Sequence, residues 1–295
     1  MTPASLTRFI LLAGLWGASF LFMRIAAPEF DPWWTALLRI GLAWVAMALW
    51  CRWRGLHLHI GAHWKQFAVL GLFNNAIPFA LYAYAALHLP AGYSAILNAL
   101  TPLFAALVAM VMLRERLRWQ VFAAVLLALS GITLLSRAGP VALNGETVPA
   151  MLACVGATLC YGFAGPYAKR YLSKVPAAAN ATNSMLFASL ALAPPALLDL
   201  PSAHPSAGVW AAMGGLALLC TALAYFLYYR LIADIGAVRA GTVTFLIPAF
   251  GMFWGWLFLG EPITPGMLGG FAMVLIAAAL VLDLVPGLRT RAVAA

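Results

Sequence analysis

The sequence predicts an all-α integral membrane protein with ten transmembrane helices. Three observations carry this reading: 65% of the 295 residues are apolar, only 8% are charged, and the apolar residues gather into ten runs. Soluble domains average roughly 45–50% apolar and about 25% charged, so a water-facing globule is excluded. Disorder is excluded as well, because it goes with low hydrophobicity and high net charge. One helical crossing takes about 20 mostly apolar residues, so ten crossings use about 200 and leave short connections.

The runs fall at residues 6–25, 33–51, 66–87, 92–113, 118–136, 149–168, 177–198, 209–232, 240–259 and 266–284. Strands of a membrane barrel would be near ten residues long and strictly alternating, and these are neither. The first run looks like a signal peptide, since Arg8 precedes an apolar stretch with small residues. Its pattern returns deep inside the chain, so it is expected to be retained as a helix. Cys51, Cys154, Cys160 and Cys220 lie in or beside apolar runs without C-x-x-C spacing, and read as packing residues.

The net charge of +9 reads as topology before it reads as nucleic-acid binding. With the N terminus inside, the inner connections collect 14 of the 17 Lys and Arg residues, and only Arg24, Arg39 and Arg137 fall toward the outside. The outer connections carry Glu29, Asp31, Glu146, Asp199 and Glu261. Both termini are therefore expected in the cytoplasm of a bacterial-type inner membrane.

The two halves resemble each other. Trp16-Gly17 matches Tyr161-Gly162 and Arg24 matches Lys169 at an offset of 145. At an offset of 146, Tyr82 matches Tyr228, Ala95 matches Gly241, Asn98 matches Thr244, Pro102 matches Pro248 and Glu115 matches Glu261. This divides the chain into a first five-helix repeat at 1–139, a periplasmic linker at 140–148 and a second repeat at 149–295. An odd number of crossings forces the second repeat to enter from the opposite side. Inverted repeats of this kind are common in secondary transporters, with the binding site near mid-membrane between them.

Two motifs then carry a family likeness. Trp16-Gly17-Ala18-Ser19-Phe20 resembles the W-G-x-S-F opening of the EamA branch of the drug/metabolite transporter superfamily. Leu113-Arg114-Glu115-Arg116 and Leu259-Gly260-Glu261-Pro262 resemble that family's L-G-E-x-L signature, and Pro102 and Pro248 stand where the family places mid-helix prolines. The resemblance spans nearly the whole chain. It implies a carrier, and the many aromatics make it similar to YddG-type exporters of aromatic amino acids. Efflux of drugs or of threonine-like amino acids on the same fold is the alternative. The second half has Tyr161-Gly162-Phe163-Ala164 and lacks the Ser19 hydroxyl, so the halves are expected to contact a substrate unequally.

The polar and aromatic residues inside the runs give the candidate site. Ala95, Asn98 and Pro102, and likewise Gly241, Thr244 and Pro248, share a helix face as small–polar–proline stripes. Such stripes either line and hinge a path or let helices pack closely; the Gly251-x-x-x-Gly255 spacing favours packing at that point. Asn74 and Asn75, with Pro78 and Tyr82, form either a cavity wall or an interhelical hydrogen bond, because buried amides are costly unless paired or wetted. Trp16, Ser19 and Phe20 on one helix, Tyr161 on another, and Tyr225, Tyr228 and Tyr229 on a third can hold an apolar or aromatic solute. Arg39 is expected to snorkel to the headgroups, with attraction of a substrate carboxylate as the alternative; Arg24 and Lys169 are expected as anchors or gate charges. Glu115 and Glu261 are expected at the first turns of their own helices, where the dipole favours a carboxylate.

No Asp, Glu or His lies deep within a run, and His57, His59 and His63 fall in one inner connection. No catalytic residue, metal, cofactor or nucleic-acid partner is therefore expected. A membrane-embedded lipid-modifying enzyme, the rival class, calls for clustered intramembrane acids or histidines. The expected partners are a small-molecule substrate and the lipid bilayer, with a monomer favoured.

Overall fold

The computed structural model describes residues 1–114, 119–201 and 204–282. Among these residues every regular element is a helix, and ten membrane-length segments are present. The helical stretch Pro3–Trp53 reverses at Asp31 (φ 68°) into two arms, α1 (3–30) and α2 (32–53). Next come α3 (Ile60–His88), α4 (Ala91–Met112), α5 (Trp119–Ala138), α6 (Thr147–Tyr171), α7 (Ala177–Leu198), α8 (Ala207–Ile235), α9 (Arg239–Leu259) and α10 (Pro265–Val281).

Local chemistry sets the ends. The Thr2 hydroxyl accepts from the Ser5 amide at 3.2 Å ahead of Pro3, Ser206 accepts from Val209 at 3.4 Å, and Thr264 accepts from Met267 at 3.3 Å ahead of Pro265. Each satisfies a donor that the first turn of a helix leaves orphaned. The reversal between α1 and α2 is tighter than the expected connection. Helix continues to Phe30, and the Asp31 carboxylate at once accepts from the Trp33 amide at 2.8 Å, starting α2 at Pro32. The third run begins earlier than expected, at Ile60, so His63 lies in a kinked first turn rather than in a loop.

Four helices are irregular, in matched pairs. In α4 the helix breaks at Ala99–Leu100 just before Pro102, and in α9 a 3₁₀ turn at Thr242–Phe245 precedes Pro248. Proline removes an amide and its ring presses on the carbonyl four residues back. In α4 that carbonyl belongs to Asn98, and Thr101 Oγ1 donates to it at 2.8 Å. The other pair is π-helical: Leu72–Ala76 in α3 and Gly215–Leu223 in α8. These correspond at the offset of 146.

The repeats interleave. Gly17 of α1 lies against Phe250 and Gly251 of α9, and its counterpart Gly162 of α6 lies against Phe104 and Ala105 of α4. Gly71 of α3 meets the Ser184 and Ala188 backbone of α7, and Gly131 of α5 meets Gly270 of α10. Lipid offers no hydrophobic drive to associate, so close backbone approach at small residues supplies the packing. Gly251 rests on Ala95 and Gly255 on Ala91, so the Gly251-x-x-x-Gly255 stripe packs α9 onto α4.

Candidate functional site

A cavity of about 450 Å³ lies between the repeats, walled by α1, α2, α3, α4, α6, α7, α8 and α9. Trp16, Ser19 and Phe20 reach it from α1, Asn74 and Tyr82 from α3, Asn98 from α4, Tyr161 from α6, Tyr225, Tyr228 and Tyr229 from α8, and Thr244 from α9. Their faces are set by the irregular turns. A π turn inserts a residue and rotates the remainder of its helix, and such turns recur at functional sites. The one in α3 carries Asn74; the one in α8 carries Cys220 and Thr221, which also line the cavity.

The aromatic rings form one wall across the repeat boundary. Trp16 and Tyr228 lie 5.2 Å apart between centroids, and their repeat counterparts Tyr161 and Tyr82 stack at 6.2 Å. Phe20 meets the edge of Tyr82 at 5.4 Å. Polar tips are paired sparingly. Tyr82 Oη donates to Asn98 Oδ1 at 3.0 Å, and Asn74 Nδ2 donates to Tyr225 Oη at 3.4 Å. The Ser19 and Thr244 hydroxyls turn back to their own helices, onto the Trp16 and Gly241 carbonyls.

Not every sequence candidate reaches the cavity. Asn75 is fully buried behind Asn74, where its Nδ2 donates to Ser184 Oγ of α7 at 3.0 Å. Neighbouring residues on a helix point about 100° apart, so one of two adjacent amides faces the cavity and the other the neighbouring helix. Pro78, Pro102 and Pro248 shape α3, α4 and α9 but do not line the space. Thr101, Phe79, Ser184 and Asn180 do line it, and sequence reasoning misses them.

Arg39 overturns its favoured sequence reading. It lies about 12 Å along α2 from the Asp31 turn. Its side chain points into the bundle rather than to the headgroups and is 5% exposed. Nε donates to Thr221 Oγ1 at 3.1 Å, Nη1 reaches Met23 Sδ at 3.5 Å, and the guanidinium sits 3.7 Å over the Phe79 ring. It shares the cavity wall with the aromatics.

At the face opposite the N terminus, contacts of Arg24 and Glu261 tie α1, α3, α4 and the α9–α10 connection together. There Arg24 Nη1 donates to the Ala86 and Leu87 carbonyls at 2.7 and 3.0 Å, at the end of α3. Glu261, in the connection to α10, lies 3.8 Å from Arg24 and accepts from the Ala91 amide at 2.9 Å. Glu261 thus caps α4 rather than its own helix, a contact between repeats that sequence position does not reveal. Burial pushes its carboxyl above the usual range, against the opposing effects of the Ala91 amide and Arg24. Toward the N-terminal face the lining of the cavity continues with Leu70, Ala164, Ala168, Ala177 and Ile232. Lys169 is exposed on that side. Glu115, Arg116, Arg118, Arg289 and Arg291 lie outside the described residues. Among the described residues no group of three His, Cys, Asp or Glu side chains is arranged to hold a metal.

Residues 6–137, and again residues 148–283, match the model of the EamA-like transporter family. The chain belongs to that family. This EamA-family transporter is 25% identical over 266 residues to a protein of Streptantibioticus cattleyicolor described as a probable terminal-alkyne amino-acid exporter. That match covers 90% of the chain and 88% of the relative. It is 22% identical over 272 residues to an uncharacterised transporter of Archaeoglobus fulgidus, covering 90% of the chain and 94% of that protein. A solved crystal structure, 19% identical, superposes with a TM-score of 0.68 over 98% of this chain and 100% of its own, and shares the fold. The transporter is thus a multi-pass membrane protein built from two family domains.

Proposed function

We propose that the transporter is a secondary carrier that exports small amphipathic metabolites, foremost aromatic amino acids, by alternating access at the cavity between its repeats. The observation that carries this is the cavity itself: about 450 Å³, walled by both repeats, and aromatic with a few polar tips. Ligand sites of roughly 300–1,000 Å³ with apolar walls and few polar groups suit small molecules of this kind. The amino-acid exporter among its relatives points the same way.

In this reading Trp16, Phe20, Tyr82, Tyr161, Tyr225, Tyr228 and Tyr229 pack on the side chain of the cargo. Ser19, Asn74, Asn98 and Thr244 offer hydrogen bonds to its ionic end, and Asn75 with Pro78 braces Asn74. Pro102 and Pro248 are the hinges. Arg24 is a gate charge at the face opposite the N terminus, and Lys169 its counterpart at the N-terminal face. With both termini in the cytoplasm, as the positive-inside bias favours, the cavity faces the cytoplasm, ready to load. Passage without a buried carboxylate suits facilitated export or exchange.

The test is counterflow of labelled tryptophan or phenylalanine into liposomes containing the purified protein. Uptake above empty liposomes is expected, and uptake equal to them with folded protein refutes the cargo. Trp16→Ala is expected to slow aromatic substrates more than threonine; equal loss would reduce Trp16 to scaffold.

A further inference from the structure

Among the described residues, Arg39 is the one charged side chain that lines the cavity, and no acid lines it. Arg39 is 5% exposed, and it touches a threonine hydroxyl, a thioether and an aromatic face. Among the described residues no carboxylate lies within ion-pair distance of it. The described side chains that line the cavity include no Asp, Glu, His or Lys.

A buried charge without a partner is strongly unfavourable, because its lost hydration is not repaid. The Phe79 face and Thr221 offset part of this through cation–π attraction and one hydrogen bond. A guanidinium has five N–H donors in a planar fork that matches a carboxylate with two parallel bonds. Thr221 and Met23 occupy only part of that fork, and methionine sulfur is a weak acceptor. The group is held ready for an anion that the protein itself does not supply.

The same arrangement disfavours cations. An ammonium entering the cavity meets the positive field of Arg39 and finds only neutral acceptors, the carboxamide and phenol oxygens of Asn74, Asn98, Tyr225 and their neighbours. In a low-dielectric site such a like-charge encounter is screened far less than in water.

We propose that Arg39 is the carboxylate receptor of this cavity. The selected cargo is an amphipathic monocarboxylate whose amino group is dispensable. The inference rests on the carrier reading above and narrows it: an amino acid is accepted for its carboxylate and its apolar side chain, and the corresponding amine is rejected. Phe79 and Thr221 act as positioning residues, holding the fork toward the space.

Three probes of one size separate the charges: phenylalanine, 3-phenylpropionate (carboxylate without ammonium) and phenethylamine (ammonium without carboxylate). Binding is measured by displacement of labelled phenylalanine from the full chain in lipid nanodiscs. We expect 3-phenylpropionate to compete at least as well as phenylalanine and phenethylamine to compete at least tenfold more weakly. Arg39→Gln is expected to reduce the preference for carboxylate over amine by tenfold or more, while Arg39→Lys keeps the preference and binds more weakly. Phenethylamine competing as well as 3-phenylpropionate, or an unchanged preference in Arg39→Gln, overturns the inference. The wild-type ranking decides it even if the variants fail to fold. Binding of phenylalanine without 3-phenylpropionate defeats this inference alone. No phenylalanine binding, by the folded protein, defeats the cargo reading and this inference with it.

Discussion

Gly17 sits where α1 crosses α9, and replacing it with alanine tests the interleaved packing directly. A Cβ there would stand 2.5 Å from Phe250 Cβ, 3.0 Å from the Gly251 nitrogen and 3.1 Å from the Ile247 carbonyl oxygen. Ordinary carbon contacts settle near 3.5–4.0 Å, so the two helices must part by about 1 Å. Two of the three obstacles are backbone and cannot rotate away. Overpacking of this kind costs about 1–3 kcal/mol, and the better helix propensity of alanine returns roughly 0.5–1 kcal/mol. The net expectation for Gly17→Ala is a loss of about 1–2 kcal/mol. Gly14, one turn earlier on the same helix, is the control. A Cβ there meets the Phe250 ring at an ordinary 3.7 Å, so Gly14→Ala should be neutral or stabilising. Thermal unfolding of the detergent-solubilised protein, followed by tryptophan fluorescence, compares the two. Gly162→Ala, whose Cβ would stand 2.6 Å from Phe104 Cβ, should behave like Gly17→Ala. If Gly17→Ala melts no lower than Gly14→Ala, the α1–α9 crossing is looser than these distances and the reasoning fails.

The site yields further expected outcomes. Asn75→Ala removes the donor to Ser184 and the acceptor that Asn74 uses, and should cost about 0.5–1.5 kcal/mol of stability, since the Ser184 hydroxyl still donates to the Ala181 carbonyl; Asn74→Ala should alter half-saturation for transport with a smaller change in melting temperature. Tyr82→Phe removes the donor to Asn98 and should weaken both stability and aromatic transport, measurable by melting and by counterflow. The Glu261 carboxyl titrates above its ordinary range because burial disfavours its charge. Its contribution to stability is therefore fully present below the unfolded-state value and lost as pH rises through the folded one. The melting temperature of the wild type, measured against Glu261→Gln, should rise as pH falls from about 7 toward the ordinary carboxylate range. A fall would mean that the contacts to Arg24 and Ala91 outweigh burial.

The legible part of the site in the sequence was its residue types. Trp16, Tyr82, Tyr161 and Tyr228 stand out because the repeat offset pairs them, and in the fold they meet as two equivalent pairs. Asn75, Pro78, Pro102 and Pro248 look equally eligible in the sequence, yet none reaches the cavity. Thr221 and Phe79 carry no signal of their own; they matter because Arg39 lies between them.

The sequence by itself determined the number of crossings, the duplication and the breaks ahead of Pro102 and Pro248. Each of these has a local or compositional cause: hydrocarbon thickness sets the length of an apolar run, and a missing amide disturbs its own turn whatever surrounds it. Only the tertiary structure decided how each helix is rotated, that Arg39 turns inward, and that Glu261 caps a helix of the other repeat. Rotation depends on where glycines such as Gly17 and Gly162 let backbones touch, and on π turns that leave no mark in composition. A charge finds its partner, or lacks one, only when distant segments are brought together.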